Sequence, residues 1–113
     1  MTKAIYTLVG VKQAGALEFV ASLPAGEPLE LIREPFNPYD ANAVAVRARG
    51  LAVGYVGRGR DPSAPKYKPG SDNVPLARFI DKHGKPVVPG DPPRAAGRLV
   101  PGNPPQIEVE ETP

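Results

Sequence analysis

The chain has 113 residues, enough for one domain around one modest core, and its 14 basic and 12 acidic residues leave a formal charge of only +2. With no cysteine there is no disulfide framework, no thiol nucleophile and no cysteine-ligated zinc. With a single histidine, His83, a two-histidine metal site cannot be built within the chain.

In chain order, residues 4–11 are rich in β-formers (Ile5, Tyr6, Thr7, Val9, Val11) and predict a strand buried on much of both faces. Leu17, Val20 and Ala21, at helical spacing, predict a short helix over residues 14–23, stopped by Pro24 and Gly26. A second strand carries Leu29, Leu31 and Arg33 on one face, alternating with Glu30, Ile32 and Glu34, and a turn occupies residues 35–42. Residues 43–49 form a third strand, with Val44, Val46 and Ala48 opposite Ala43, Ala45 and Arg47. Gly50 permits a tight reversal into a fourth strand, 51–56, in which Gly54 marks a bulge or a close backbone approach.

Residues 57–71 are broken by proline and glycine and predict a flexible loop. Asp72 or Asn73 caps a second helix through Leu76, Ala77, Phe79 and Ile80, with Pro75 in its first turn. Lys82 and His83 suit its C-terminal dipole, and Gly84 stops it. Residues 95–100 and 106–110 give two last strands, with Ile107 and Val109 inward and Glu108 and Glu110 outward. The expected fold is mainly β with two short helices (α+β), six strands forming a small closed or partly open barrel, which removes exposed sheet edges.

Charge is polarised along the chain. Arg58, Arg60, Lys66 and Lys68 face only Asp61 between positions 58 and 68, whereas Glu108, Glu110 and Glu111 make the C-terminal end acidic. A solvated basic loop and a phosphate-binding rim both fit that distribution. Residues 1–6 lack the apolar region of a signal peptide, and no apolar run approaches the ~20 residues of a membrane span, so a cytoplasmic location with no membrane partner is expected. No G-x-x-x-x-G-K-[ST] loop is present, so ATP hydrolysis is not expected, and nothing calls for a cofactor.

The densest information lies in residues 33–46, where two prolines, two asparagines, an aspartate and a tyrosine share one turn ahead of an apolar strand. Pro38 and Asn42 suit turn-building, and Arg33 with Glu34 suits a structural ion pair. The run Leu31-Ile32-Arg33-Glu34-Pro35, then Asn37-Pro38-Tyr39-Asp40, Asn42-Ala43-Val44-Ala45-Val46, Gly50, Val53-Gly54-Tyr55-Val56 and Arg58 resembles the HIRAN domain, over roughly residues 4–110 of a single domain spanning 1–113.

The resemblance implies an OB-like β-barrel of a family that occurs fused to Snf2-type helicases of DNA damage tolerance and as short stand-alone proteins of bacteria and phages. It implies binding of single-stranded DNA, with the 3′ end as the target, and no catalysis by the domain itself. The partner would be that DNA, together with a separate helicase or nuclease protein. Onto this chain it carries Tyr39 and Asp40 beside the terminal nucleotide, Asp40 accepting from a 3′-hydroxyl. Asn37 becomes a polar contact to the end, and Lys12 and Arg58 become phosphate contacts. Tyr55 stands where some members hold another ring-bearing polar residue, and Lys66 and Lys68 would extend the basic rim.

At two positions where the resemblance implies base-stacking rings, this chain departs from the family pattern. One is Gln13, and the other is the last hairpin, residues 101–105, which has no aromatic; Phe36 and Tyr67 are the rings available in their place. Each lost stack removes roughly 1–3 kcal/mol per base. A groove repurposed for a peptide or partner protein is therefore the alternative reading, and a hydrolase using Asp40 a third.

Overall fold

The computed structural model describes residues 3–9, 15–38, 41–57, 73–86, 88–102 and 105–110. The strands are β1 Lys3–Val9, β2 Pro28–Glu34, β3 Ala43–Ala48, β4 Leu51–Val56, β5 Arg94–Val100 and β6 Gln106–Glu110. Helix α1, Ala16–Ser22, lies between β1 and β2, and α2, Val74–His83, between β4 and β5. The strands close into an antiparallel barrel in the order β1-β4-β3-β2-β5-β6, with β6 pairing back onto β1. The mainly β, OB-like six-stranded barrel expected from the sequence is the fold observed.

Register makes the interior continuous. Leu31 lies opposite Val46 on one side and Ala95 on the other, Tyr6 opposite Ile107, and Leu8 opposite Val56. Residues directly opposite in an antiparallel pair share a face, so these side chains meet inside the barrel. Leu31, Val44, Val46 and Ile107 are wholly buried, and each such side chain contributes about 1.5–3 kcal/mol. β1 differs from its expectation: Tyr6 and Leu8 are buried, but Ile5 and Val9 stay exposed. A barrel wall has only one inner face, so β1 buries one side of its apolar run and leaves the other to solvent.

The β3–β4 hairpin turns at Arg49 and Gly50, with φ of 53° and 80°, between paired Ala48 and Leu51. Positive φ at both positions is the type I′ pattern that matches strand twist. Pairing then slips between Val46 and Arg47, which adds an extra residue to β4 at Val53–Gly54. Val53 and Val56 are both buried, although they are three apart and a regular strand would place them on opposite faces. The bulge reconciles them and leaves Tyr55 on the outer wall. At Gly97 on β5 an added Cβ would lie 3.0 Å from Ile107 and 3.1 Å from Leu31, so glycine there lets neighbouring strands' side chains fill the interior.

Helix α2 buries Leu76, Ala77 and Ile80 and packs against β2 and β3. Gly84 N–H closes its end onto the Ile80 carbonyl at 2.7 Å, and the rings of Phe79 and His83 sit 5.0 Å apart. In α1 the structure buries Val20 but leaves Leu17 and Ala21 exposed. Leu23, just past the helix, takes the second buried position instead. The predicted flexible loop at 57–71 lies, beyond Gly57, outside the described residues. No helix among the described residues is long and apolar enough to cross a membrane.

Candidate nucleic-acid interface

β2 ends at Glu34, and the chain turns at once through Pro35, Phe36 and Asn37. The Asn37 N–H donates to the Glu34 carbonyl at 3.0 Å, closing a four-residue turn with proline at its second position, where a fixed φ favours it. The Asn37 side chain locks the same turn again: Nδ2 donates to Glu34 Oε1 at 3.0 Å. From β4, the Tyr55 hydroxyl donates to that same Oε1, also at 3.0 Å. Two of the sequence-predicted binding residues, from segments far apart in the chain, thus converge on one carboxylate oxygen.

Tyr55 is 37% exposed and lies between Val9 of β1 and Ala45 of β3 on the outer wall. Partial burial raises its pKa above the ordinary 10.0, helped by the hydrogen bond to Glu34 and then by that carboxylate's charge. The phenol therefore keeps its proton near neutrality and commits it to Glu34, leaving its oxygen as an acceptor toward solvent. The patch offers a ring, an amide and acceptor oxygens, a set suited to sugar hydroxyls and base edges.

Helix α2 holds both shoulders of the turn. Before it, Arg33 is buried and donates through Nε to Asp81 Oδ1 at 2.8 Å and through Nη1 to the Ala43 carbonyl at 2.9 Å. After it, buried Asn73 donates through Nδ2 to the Asn42 carbonyl at 3.0 Å. Both contacts correct sequence expectations. Arg33 pairs with Asp81 and not with Glu34, because it shares the inner face of Leu29 and Leu31 and meets the helix there, while Glu34 lies on the other face. Asn73 occupies the N-cap position of α2 without a side-chain cap bond, its amide being turned to the Asn42 carbonyl instead.

Lys12, Tyr39, Asp40, Arg58, Lys66 and Lys68 lie outside the described residues, as do Gln13 and Tyr67. Of the predicted site residues, Asn37 and Tyr55 are brought together. Sequence reasoning missed the carboxylate that joins them, Glu34, whose only local signal was its place at the start of the turn. It also could not place Phe36, which stands at the turn's tip 96% exposed. Among the described residues no group of His, Asp and Glu is arranged to hold a metal ion.

The chain is a small closed β-barrel with a polar turn, closed twice on Glu34, at the end of β2. The HIRAN domain model matches residues 2–61, more than half of the 113, and the chain belongs to the HIRAN domain family. No curated protein and no solved structure matches it. The matched segment holds β1 to β4 and the turn after β2, and β5 and β6 beyond it complete the barrel. A HIRAN domain is in general a nucleic-acid-binding module, and by itself it binds and does not catalyse.

Proposed function

We propose that this chain, acting as one HIRAN-like domain over residues 1–113, binds single-stranded DNA through the outer wall around Glu34–Asn37 and Tyr55, with a free 3′ end as its preferred target. The observation that carries the reading is the meeting of Asn37 and Tyr55 on Glu34 Oε1 in a HIRAN-family barrel. Lys12, Arg58, Lys66 and Lys68 supply phosphate contacts in this reading, and Tyr39 and Asp40 meet the terminal nucleotide, Asp40 accepting from its hydroxyl. The module serves DNA repair or replication in the cytoplasm, beside a separate helicase or nuclease.

Fluorescence anisotropy with a labelled strand of ~10 nucleotides tests this, comparing 3′-hydroxyl with 3′-phosphate ends at low and moderate salt. Binding that weakens with salt and with the 3′-phosphate supports the reading. Equal affinity for both ends removes the end preference, and no binding at any salt removes DNA as the ligand.

A second reading rests on a different observation. Leu17, Val20 and Ala21 of α1 face Pro101, Gly102 and Pro105 across an open, mostly apolar groove. Such a groove suits a peptide or partner protein, whose binding would be nearly insensitive to salt where DNA binding falls steeply.

A further inference from the structure

Phe36 is the most exposed large apolar side chain among the described residues, with 96% of its surface open. Among the described residues nothing covers its ring, yet the turn that carries it is closed twice. Pro35 precedes it, the Asn37 N–H and Nδ2 both close the turn onto Glu34, and Arg33 and Asn73 anchor the flanks through α2. A ring on a flexible tip would lose much of any binding energy to ordering, whereas one presented on a doubly closed turn has already met that cost. Aromatic side chains bring a large apolar area with few rotatable bonds, and a nucleobase offers a flat face of matching size.

The neighbours decide which flat ligand fits. Polar groups share its turn and wall: Asn37 follows it in the chain and, through Glu34, joins the Tyr55 hydroxyl. A nucleotide has a hydrophobic face for the ring and hydrogen-bonding edges and hydroxyls for polar groups around it, and the chain belongs to a family of nucleic-acid-binding modules.

We propose that Phe36 is a base-stacking platform of this domain, taking the face of an unpaired nucleobase against its ring while Asn37 and Tyr55 meet the nucleotide's polar groups. The proposal rests on the single-stranded DNA reading above and adds to it the residue that grips the base.

The test compares the full chain with Phe36→Ala and Phe36→Tyr on two labelled ~10-nucleotide strands, one of ordinary sequence and one lacking all its bases. Phe36→Ala weakens binding to the ordinary strand by roughly 5- to 150-fold, the ~1–3 kcal/mol that stacking supplies per base. Phe36→Tyr keeps the parent's affinity, and on the baseless strand parent and Phe36→Ala bind alike. The slope of affinity against salt is the same for all, since no phosphate contact is touched. Because the ring is solvent-exposed, Phe36→Ala melts within about 3 °C of the parent, so misfolding does not confound the result. A Phe36→Ala variant that binds the ordinary strand as the parent does overturns the proposal while leaving the DNA reading in place. An equal loss on both strands overturns stacking, and a parent that binds neither strand overturns the DNA reading and this inference with it.

Discussion

Arg33 of β2 reaches Asp81 of α2 at 2.8 Å with its guanidinium almost fully buried and the aspartate half open to water. The pair is therefore unequal. Removing Asp81 leaves a buried cation facing an empty place, whereas removing Arg33 leaves a carboxylate that solvent can hydrate. Asp81→Ala is expected to cost about 1–3 kcal/mol. Arg33→Met, which keeps much of the side-chain volume, should cost less. Urea unfolding of the two variants checks the order, and a larger loss for Arg33→Met would mean that packing of the side chain outweighs its charge.

Tyr55 gives the fold a pH dependence at the alkaline end. Its pKa is raised in the native state, so the folded protein holds the phenolic proton more tightly than the unfolded chain does. The resulting stability is fully present below the unfolded value of 10.0 and is lost as pH rises through the higher native value. Glu34→Gln removes the nearby charge and should bring the Tyr55 titration back toward the ordinary range, read as the phenolate absorbance or the ring NMR shifts against pH. If the titration midpoint does not move, burial alone sets it.

Asn73 links α2 to the end of the turn after β2 by donating a hydrogen bond to the Asn42 carbonyl. Asn73→Asp replaces that donor with an acceptor facing the Asn42 carbonyl, and should destabilise by about 1–3 kcal/mol, the cost of buried groups left unpaired. Thermal melts measure the loss. Amide exchange should also quicken at Asn37, whose N–H closes the turn; unchanged exchange there would show that the turn is held without α2.

Much of the barrel could be read locally. The alternation of Val44, Val46 and Ala48 with Arg47, and of Ile107 and Val109 with Glu108, states directly which face is inside. Gly54 signalled the bulge that turns Tyr55 outward. The contacts that organise the site were not readable in this way, because they join segments far apart. Arg33 finds Asp81 at a sequence separation of 48 and Asn73 finds Asn42 at 31. Local periodicity reports which side of an element is apolar, not which distant group will meet it. For the same reason the spacing of Leu17, Val20 and Ala21 located the helix but not its buried contacts, which fall to Val20 and, just past α1, Leu23. Phe36 was visible as a ring, but its exposure depends on how the whole turn sits on the wall.

The seam of the barrel has a kinetic consequence. β1 is flanked by β6 through pairs running from Lys3 with Glu110 to Thr7 with Gln106. A chain emerging from the ribosome can assemble the β2-β3-β4 meander from near neighbours and set β1 against β4, but the other edge of β1 must wait for β6, the last of the barrel strands in chain order. Until then β1 and β5 each present an unpaired edge able to capture a strand of another molecule. Closure thus depends on contacts of very long sequence separation, which slow folding because loop entropy is lost before those contacts form.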